Sequence, residues 1–363
     1  MTRPEAYFNP PKRLPFVLPR PPDGKTLVSL AINESAFGCS PKALAAARAR
    51  LEQPHRYPDP ASAALRQAIG RAHGLDPERI ICGNGSEELL DVAGRMFVRP
   101  GDQILMSQSG FFQFAVVAQR LGAGLVRAGE RDLVTDVDAM LGLIGPATKL
   151  VFLAVPNNPT GLAMPIAEVR RLHAGLPAHT VLVLDLAYGE YLPPADLQAL
   201  MALAEASETI IATRTFSKAY GLAAMRVGWM LAPGWMAPGL NMLRGVGNVN
   251  AIAQAAAEAA VADPEFVARA VAETARERAV LAATLTRQGL AFVPGLGNFL
   301  LTRFPDTPGR GGAEFLPFAM ARSGIWLRPV GEPGFANYCR IGIGRGAENA
   351  LLAECLDAFL NAR

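Results

Sequence analysis

The chain has 363 residues, half of them hydrophobic, and a formal net charge of +3, enough apolar material for one large core and a smaller second unit. No block of five like charges occurs, so the electrostatic footprint of a nucleic-acid or acidic-membrane partner is missing and neither partner is expected. The four cysteines are far apart, with no C-x-x-C and no zinc-ligand spacing, which points to reduced thiols and no metal site.

The first 25 residues are rich in proline, which fixes φ and removes a backbone donor, and they read as an extended arm. They carry charges where a signal peptide needs an apolar core, and no apolar run reaches the roughly 18 residues of a membrane span, so a cytoplasmic protein is expected. From residue 79, short apolar runs alternate with helical patterns. RIIC, QILM, GLVRA, KLVFLAV, TVLVLD, TIIAT and RVGWML read as strands, with helices over 86–98, 111–121, 165–175 and 196–206 between most of them. Strands that are apolar on both faces and linked by helices predict an α/β fold with a mostly parallel sheet sandwiched by helices. After residue 250 come an alanine-rich helix and a longer one over 264–289. A smaller α+β unit follows, with strands at NFLLTRF, GIWLRP and YCRIGI, a loop over 304–314, and a terminal helix over 347–361.

In open parallel sheets ligands bind beyond the carboxyl ends of the strands, so the residues after each strand carry the functional information. GNGSEE (83–88) leads from a strand into a helix, where the free N–H groups of Ser86 and Glu87 suit a phosphate; an ordinary strand-to-helix turn has the same composition. PNNPTG (156–161) is a rigid loop able to aim the Asn158 amide at a ligand. Asp185 closes a very apolar strand and is followed by Tyr188; a buried carboxylate needs a cation, unless it merely caps a helix.

ATRTFSKAYGLAAMR (212–226) places Lys218 among small and apolar neighbours in a chain with only five lysines. Desolvation there frees its amine as a nucleophile toward carbonyls, and Thr215, Ser217 and Arg226 supply hydroxyl and basic groups for a phosphate dianion. Together these places describe a cofactor with a phosphate, a basic ring nitrogen, a phenolic oxygen and a carbonyl. Pyridoxal phosphate has all four.

On GNGSEE, PNNPTG, DLAYGEY and RTFSKAYGLAAMRVGW, with LAINESAFGCSPKAL, RYPDP, NVNAIAQAAA and CRIGIG in the same order, the chain resembles the fold type I aminotransferases, and among them the histidinol-phosphate aminotransferase family. The resemblance covers nearly the whole chain. It implies a seven-stranded, mostly parallel sheet, with an arm over 1–28, a large cofactor-binding domain over 29–262 (29–57 partly contributing to the small domain) and a small C-terminal domain over 263–363.

It also implies site roles. Lys218 carries the cofactor, Asp185 holds the pyridinium proton, Tyr188 and Asn158 bond the phenolic oxygen, and Phe111 stacks on the ring. Ser86, Glu87, Thr215, Ser217 and Arg226 cradle the phosphate, and Tyr57 reaches the partner's phosphate in a homodimer. Arg340 and Arg328 bind the substrate anion, and Asn33 and Glu34 stand at the pocket mouth.

The implied reaction is ping-pong transamination between a small amino donor and 2-oxoglutarate, with histidinol phosphate as the donor in histidine biosynthesis. Two departures, Phe16 in place of an arm tyrosine and RGVGNVN (244–250) in place of a segment with proline and phenylalanine, make an aromatic amino acid aminotransferase the alternative. Threonine-phosphate decarboxylase and a non-catalytic small-molecule binder stand behind it.

Overall fold

A computed structural model describes residues 19–332 and 334–361. Most of the predicted arm, Phe16 included, lies outside them.

Seven strands form the central sheet: β1 (Ile80–Gly83), β2 (Gln103–Ser107), β3 (Gly124–Ala128), β4 (Thr148–Ala154), β5 (Val181–Asp185), β6 (Ile210–Thr215) and β7 (Gly228–Leu231). Their spatial order is β1-β7-β6-β5-β4-β2-β3. Only β7 runs antiparallel to its neighbours, Gly228 pairing with Gly83 on one side and Thr215 on the other. All seven strands expected from the sequence are present.

The reason they read as unbroken apolar runs is visible in the packing. Successive side chains of a strand point to opposite faces. Here Val151, Leu153, Leu182 and Leu184 enter one buried cluster, while Leu150, Phe152, Val181 and Val183 enter the other. Both faces are dry, so neither can afford polar alternation.

Helices cover the two faces. α1 (Pro41–Arg50) and α2 (Ala63–His73) precede the sheet, and α3 (Ser86–Phe97) and α4 (Phe112–Arg120) follow β1 and β2. The serine preceding α1 caps it, Lys42 N–H donating to Ser40 Oγ at 3.1 Å. The alanine-rich stretch forms α5 (Ala251–Val261), capped by Asn250 through the Ala253 N–H at 2.8 Å. Its buried Ala253, Ala256 and Ala257 share a cluster with Ala43 and Ala47 of α1, and such small side chains let the two helices approach closely.

The long helix α6 (Pro264–Arg287) leads to a second sheet of β8 (Ala291–Val293), β9 (Phe299–Arg303), β10 (Arg328–Pro329) and β11 (Tyr338–Gly342), ordered β8-β9-β11-β10. α7 (Gly312–Ser323) and α8 (Gly346–Leu360) pack with it around Phe304, Phe315 and Phe359.

Three details differ from the sequence reading. GIWLRP is two short strands, because Ile325–Trp326 pairs in parallel with Val28–Ser29 while Arg328–Pro329 joins β11. The predicted loop over 304–314 ends early, since α7 starts at Gly312. β8 pairs with β9 although its sequence carries no run long enough to announce it.

Candidate active site

The carboxyl ends of β1, β4, β5 and β6 open on one cavity of about 1080 Å³, which also reaches residues of the smaller sheet. Every candidate site residue except Tyr57 and Glu34 lines it. Glu34 instead accepts from Ser29 Oγ at 2.7 Å, and Tyr57 stands on the surface, 97% exposed.

At one end lies an anion cradle. α3 begins at Ser86 after Gly85, whose φ of 82° is open chiefly to glycine. A Cβ on Gly85 would sit 2.5 Å from an Arg226 guanidinium nitrogen, and one on Gly228 would sit 2.7 Å from the Ser86 backbone nitrogen. Both glycines therefore exist to let the helix start, β7 and Arg226 converge. Arg226 itself is left-handed, φ 53°, and donates to Ser217 Oγ at 3.2 Å and to the Ala223 carbonyl at 3.0 Å. The Ser217 N–H donates to Thr215 Oγ1 at 3.1 Å, which tightens the loop after β6. A helix N-terminus, hydroxyls and a guanidinium meeting here fit a phosphate dianion.

Lys218 follows on the same loop. Its Nζ donates to the carbonyls of Ile32 and Asn33 at 3.2 and 3.1 Å and lies 5.7 Å from the centre of the Tyr188 ring. Burial, with the Arg340 charge as the second cause, pushes its ammonium down to about 7. A neutral amine is therefore accessible near physiological pH.

Across the cavity Asp185, 3% exposed, ends β5. Both of its hydrogen bonds fall on Oδ1, from Thr213 Oγ1 at 2.9 Å and the Ala187 N–H at 3.2 Å. Desolvation pushes its carboxyl up to about 6 against those bonds. Among the described residues no cation forms an ion pair with it, Lys218 acting only as a minor cause, and a protonated ring nitrogen would supply one.

Asn158 and Tyr188 both reach the cavity, but each is already held by a protein partner. Asn158 Oδ1 accepts from Arg340 Nη1 at 2.6 Å, which turns its amide nitrogen, a donor, toward the remaining space. Tyr188 Oη accepts from Asn33 Nδ2 at 2.7 Å. Arg340 is 7% exposed; its Nη2 donates to the Ala31 carbonyl at 2.7 Å and its Nε has no hydrogen-bond partner among the described residues. The Arg328 guanidinium lies 5.1 Å from the centre of the Phe112 ring. Phe111 meets Phe112 edge to face, with centroids 4.9 Å apart.

Sequence reasoning missed Phe112, Arg127 and Glu332, which line the same cavity. Arg127 stands one residue from the carboxyl end of β3, a position the strand-end rule could have flagged. Nothing local marks Phe112 or Glu332.

The family described as aminotransferase class I and II matches residues 25–359. A histidinol-phosphate aminotransferase of Rhodopseudomonas palustris (strain TIE-1) is 44% identical over 93% of this chain and 92% of its own length. One of Maricaulis maris is 44% identical over 92% of each chain. The crystal structure of histidinol-phosphate aminotransferase from Sinorhizobium meliloti, in complex with pyridoxal-5'-phosphate, superposes with a TM-score of 0.87 at 31% identity, covering 92% of this chain and 90% of that one. With a family match across almost its entire length and relatives this similar over nine-tenths of both sequences, the chain belongs to the class I and II aminotransferases.

Proposed function

We propose that this aminotransferase works with pyridoxal phosphate and moves the amino group of histidinol phosphate to 2-oxoglutarate. The observation that carries the reading is that two separate sets of basic side chains line the cavity that holds Lys218. The cradle of Ser86, Ser217 and Arg226 takes the cofactor's phosphate, while Arg340 and Arg328 offer a second site for an anionic substrate. The curated relatives named above, all histidinol-phosphate aminotransferases, support the choice of donor.

Bound there, pyridoxal phosphate supplies an aldehyde for an amine and a ring that withdraws electrons from the substrate's α-carbon. Lys218 would hold it, and its amine, depressed to about 7 by burial, would move a proton at that carbon as general base and then acid. Asp185 would keep the ring nitrogen protonated. Asn158 and Tyr188 would donate to the ring oxygen, and Phe111, on the same cavity wall, would stack on the ring. Arg340, fixed by Asn158 and the Ala31 carbonyl, binds a carboxylate or a phosphate with equal geometric ease. One arginine thus serves the donor and the keto acid in turn.

The working form is a homodimer. Tyr57 and Val246 are 97% and 94% exposed, and Met242 86%. Arg244 Nη2 donates to the Pro60 carbonyl at 2.6 Å and Gln254 Nε2 to the Asp59 carbonyl at 2.9 Å, so the loop bearing Tyr57 is held against the segment bearing Val246. Apolar side chains exposed on one surface call for a partner, and a second copy supplies it.

The experiment is a panel of amino donors, histidinol phosphate beside phenylalanine and tyrosine, each with 2-oxoglutarate. A kcat/KM for histidinol phosphate above that of both amino acids is expected. A preference for phenylalanine or tyrosine transfers the assignment to an aromatic amino acid aminotransferase, and release of carbon dioxide without a keto acid removes both.

A further inference from the structure

We infer that Asn298, a residue outside the cavity wall, is a positioning residue that acts through Asn33 to set the proton direction of Tyr188 and the seat of Lys218. The inference rests on the assignment of Lys218 and Tyr188 given under Proposed function.

A strap over residues 28–34 crosses from the smaller sheet to the active site. Val28–Ser29 lies parallel to Ile325–Trp326, the Leu30 carbonyl accepts from the Gly342 N–H at 2.8 Å, and the Ala31 carbonyl accepts from Arg340. The strap ends on Asn33, 2% exposed and left-handed at φ 57°, a conformation uncommon outside glycine. That turn sends the two polar ends of one residue to two different groups. Its carbonyl accepts from Lys218 Nζ at 3.1 Å, and its side-chain amide donates to Tyr188 Oη at 2.7 Å. Because Tyr188 Oη accepts from Asn33, the phenol's own proton must point elsewhere, and the residue lines the cavity. Tyr188 thereby has its proton free to donate to a ring oxygen bound in that cavity.

Asn298 holds the turn in place. It is 2% exposed, and its one amide nitrogen spends both hydrogens on the strap, donating to the Asn33 and Glu34 carbonyls at 3.0 Å each. Its backbone carbonyl accepts from the Ile343 N–H at 2.9 Å, three residues beyond Arg340. Asn298 directly precedes β9, whose Phe299 is in register with Gly342 of β11, so Asn298 and Arg340 are carried by the same sheet. A shift of that sheet on binding an anion at Arg340 would reach Lys218 and Tyr188 through the strap.

The test uses the cofactor-loaded enzyme and reads the pH midpoint of its visible absorbance change. A hydrogen bond donated by Tyr188 stabilises negative charge on the ring oxygen and lowers the basicity of the nitrogen Lys218 contributes. Losing the bond raises the midpoint. Asn33→Gly tolerates the left-handed backbone and keeps the carbonyl while removing the side-chain amide; Asn298→Ala removes the clamp. Each is expected to raise the midpoint by about 0.5–1 unit, in the direction of Tyr188→Phe. The charged groups acting on Tyr188 include Arg340, Asp185 and Arg328, and those acting on Lys218 are led by Arg340, Glu87, Arg226 and Glu34. Neither substitution alters any of them, and a role in stability alone would lower the melting temperature without moving the midpoint. A wild-type midpoint in either folded variant overturns the inference; if Asn298→Ala does not fold, Asn33→Gly decides. Borohydride reduction of the wild type separates the two levels: without a cofactor adduct on Lys218 the underlying assignment fails, and with one, unmoved midpoints overturn this inference alone.

Discussion

Arg340 Nη1 donates to Asn158 Oδ1 at 2.6 Å, a link between the smaller sheet and the loop after β4 across 182 residues of sequence. No carboxylate within ion-pair distance neutralises this buried guanidinium among the described residues. It therefore holds its charge ready for an anionic ligand at the cost of its own desolvation, and its pKa is depressed chiefly by that burial.

Arg340→Met is expected to raise KM for 2-oxoglutarate roughly 10- to 100-fold, the equivalent of about 1.5–3 kcal/mol for charge-assisted hydrogen bonds. It also removes the second-largest cause of the Lys218 depression. The same variant should show Lys218 titrating higher. Steady-state kinetics with the donor saturating gives the first result, and pulse acetylation of the cofactor-free protein at several pH values gives the second. An unchanged KM would take Arg340 out of the substrate site.

Lys218 carries a pH prediction with a definite sign. Its ammonium is pushed from 10.5 to about 7, so between those values the unfolded chain binds more protons than the folded one. Stability of the cofactor-free protein therefore gains with rising pH across that window from this group. Asp185, pushed up from 3.8 to about 6, contributes the opposite slope in a separate window, losing stability as pH rises from 3.8 toward 6. Urea unfolding at steps between pH 7 and 10 should show the Lys218 gain in the wild type and not in Lys218→Met. In pulse acetylation Lys218 should be half-reactive near pH 7, whereas a lysine in water continues to gain reactivity up to about pH 10.

Gly228 tests the anion cradle. An added Cβ would meet only backbone: Ser86 N at 2.7 Å, and Arg214 O and Gly85 C at 2.9 Å. No side chain can swing away, so β7 and the start of α3 must separate. Gly228→Ala should cost roughly 1–3 kcal/mol and weaken cofactor retention together, because the displaced element is the proposed phosphate cradle. Gly129→Ala, where the added carbon meets nothing within 4 Å, is the control and should match the wild type. Thermal unfolding and cofactor loss on dialysis check both; a stable variant that keeps its cofactor would refute the packing argument.

The parts of this molecule that the sequence discloses are those whose cause is local. Val181–Leu184 is apolar because both faces of β5 are buried, and the chain has to write that run out residue by residue. Lys218 is conspicuous because lysine is scarce and its neighbours are apolar, which is the same desolvation that depresses it. Asn298 is invisible by the same logic. Its side-chain partners lie 265 and 264 residues away, and an asparagine before a strand looks like a turn residue until the strap is laid across it. GIWLRP misled for a related reason, since a run of apolar residues says nothing about its dividing between two partners.

Tyr57 offers a test that only an assembled site can satisfy. It is 97% exposed and lies off the cavity of its own chain. If it serves the partner's phosphate, then in a mixed dimer of Tyr57→Ala and Lys218→Ala one site collects both defects. The other site combines an intact Lys218 with an intact Tyr57 and regains activity. If Tyr57 acts within its own chain, each mixed dimer has one defect per site and nothing is regained. Tyr57→Ala alone should lose one charge-assisted hydrogen bond to the phosphate, about 1.5–3 kcal/mol, and so turn over poorly at limiting cofactor. Random mixing makes half the dimers hybrid with one good site in two, so about one quarter of wild-type activity should return when the variants are unfolded and refolded together. Activity no greater than the mean of the two separate variants would place Tyr57 outside the partner's site.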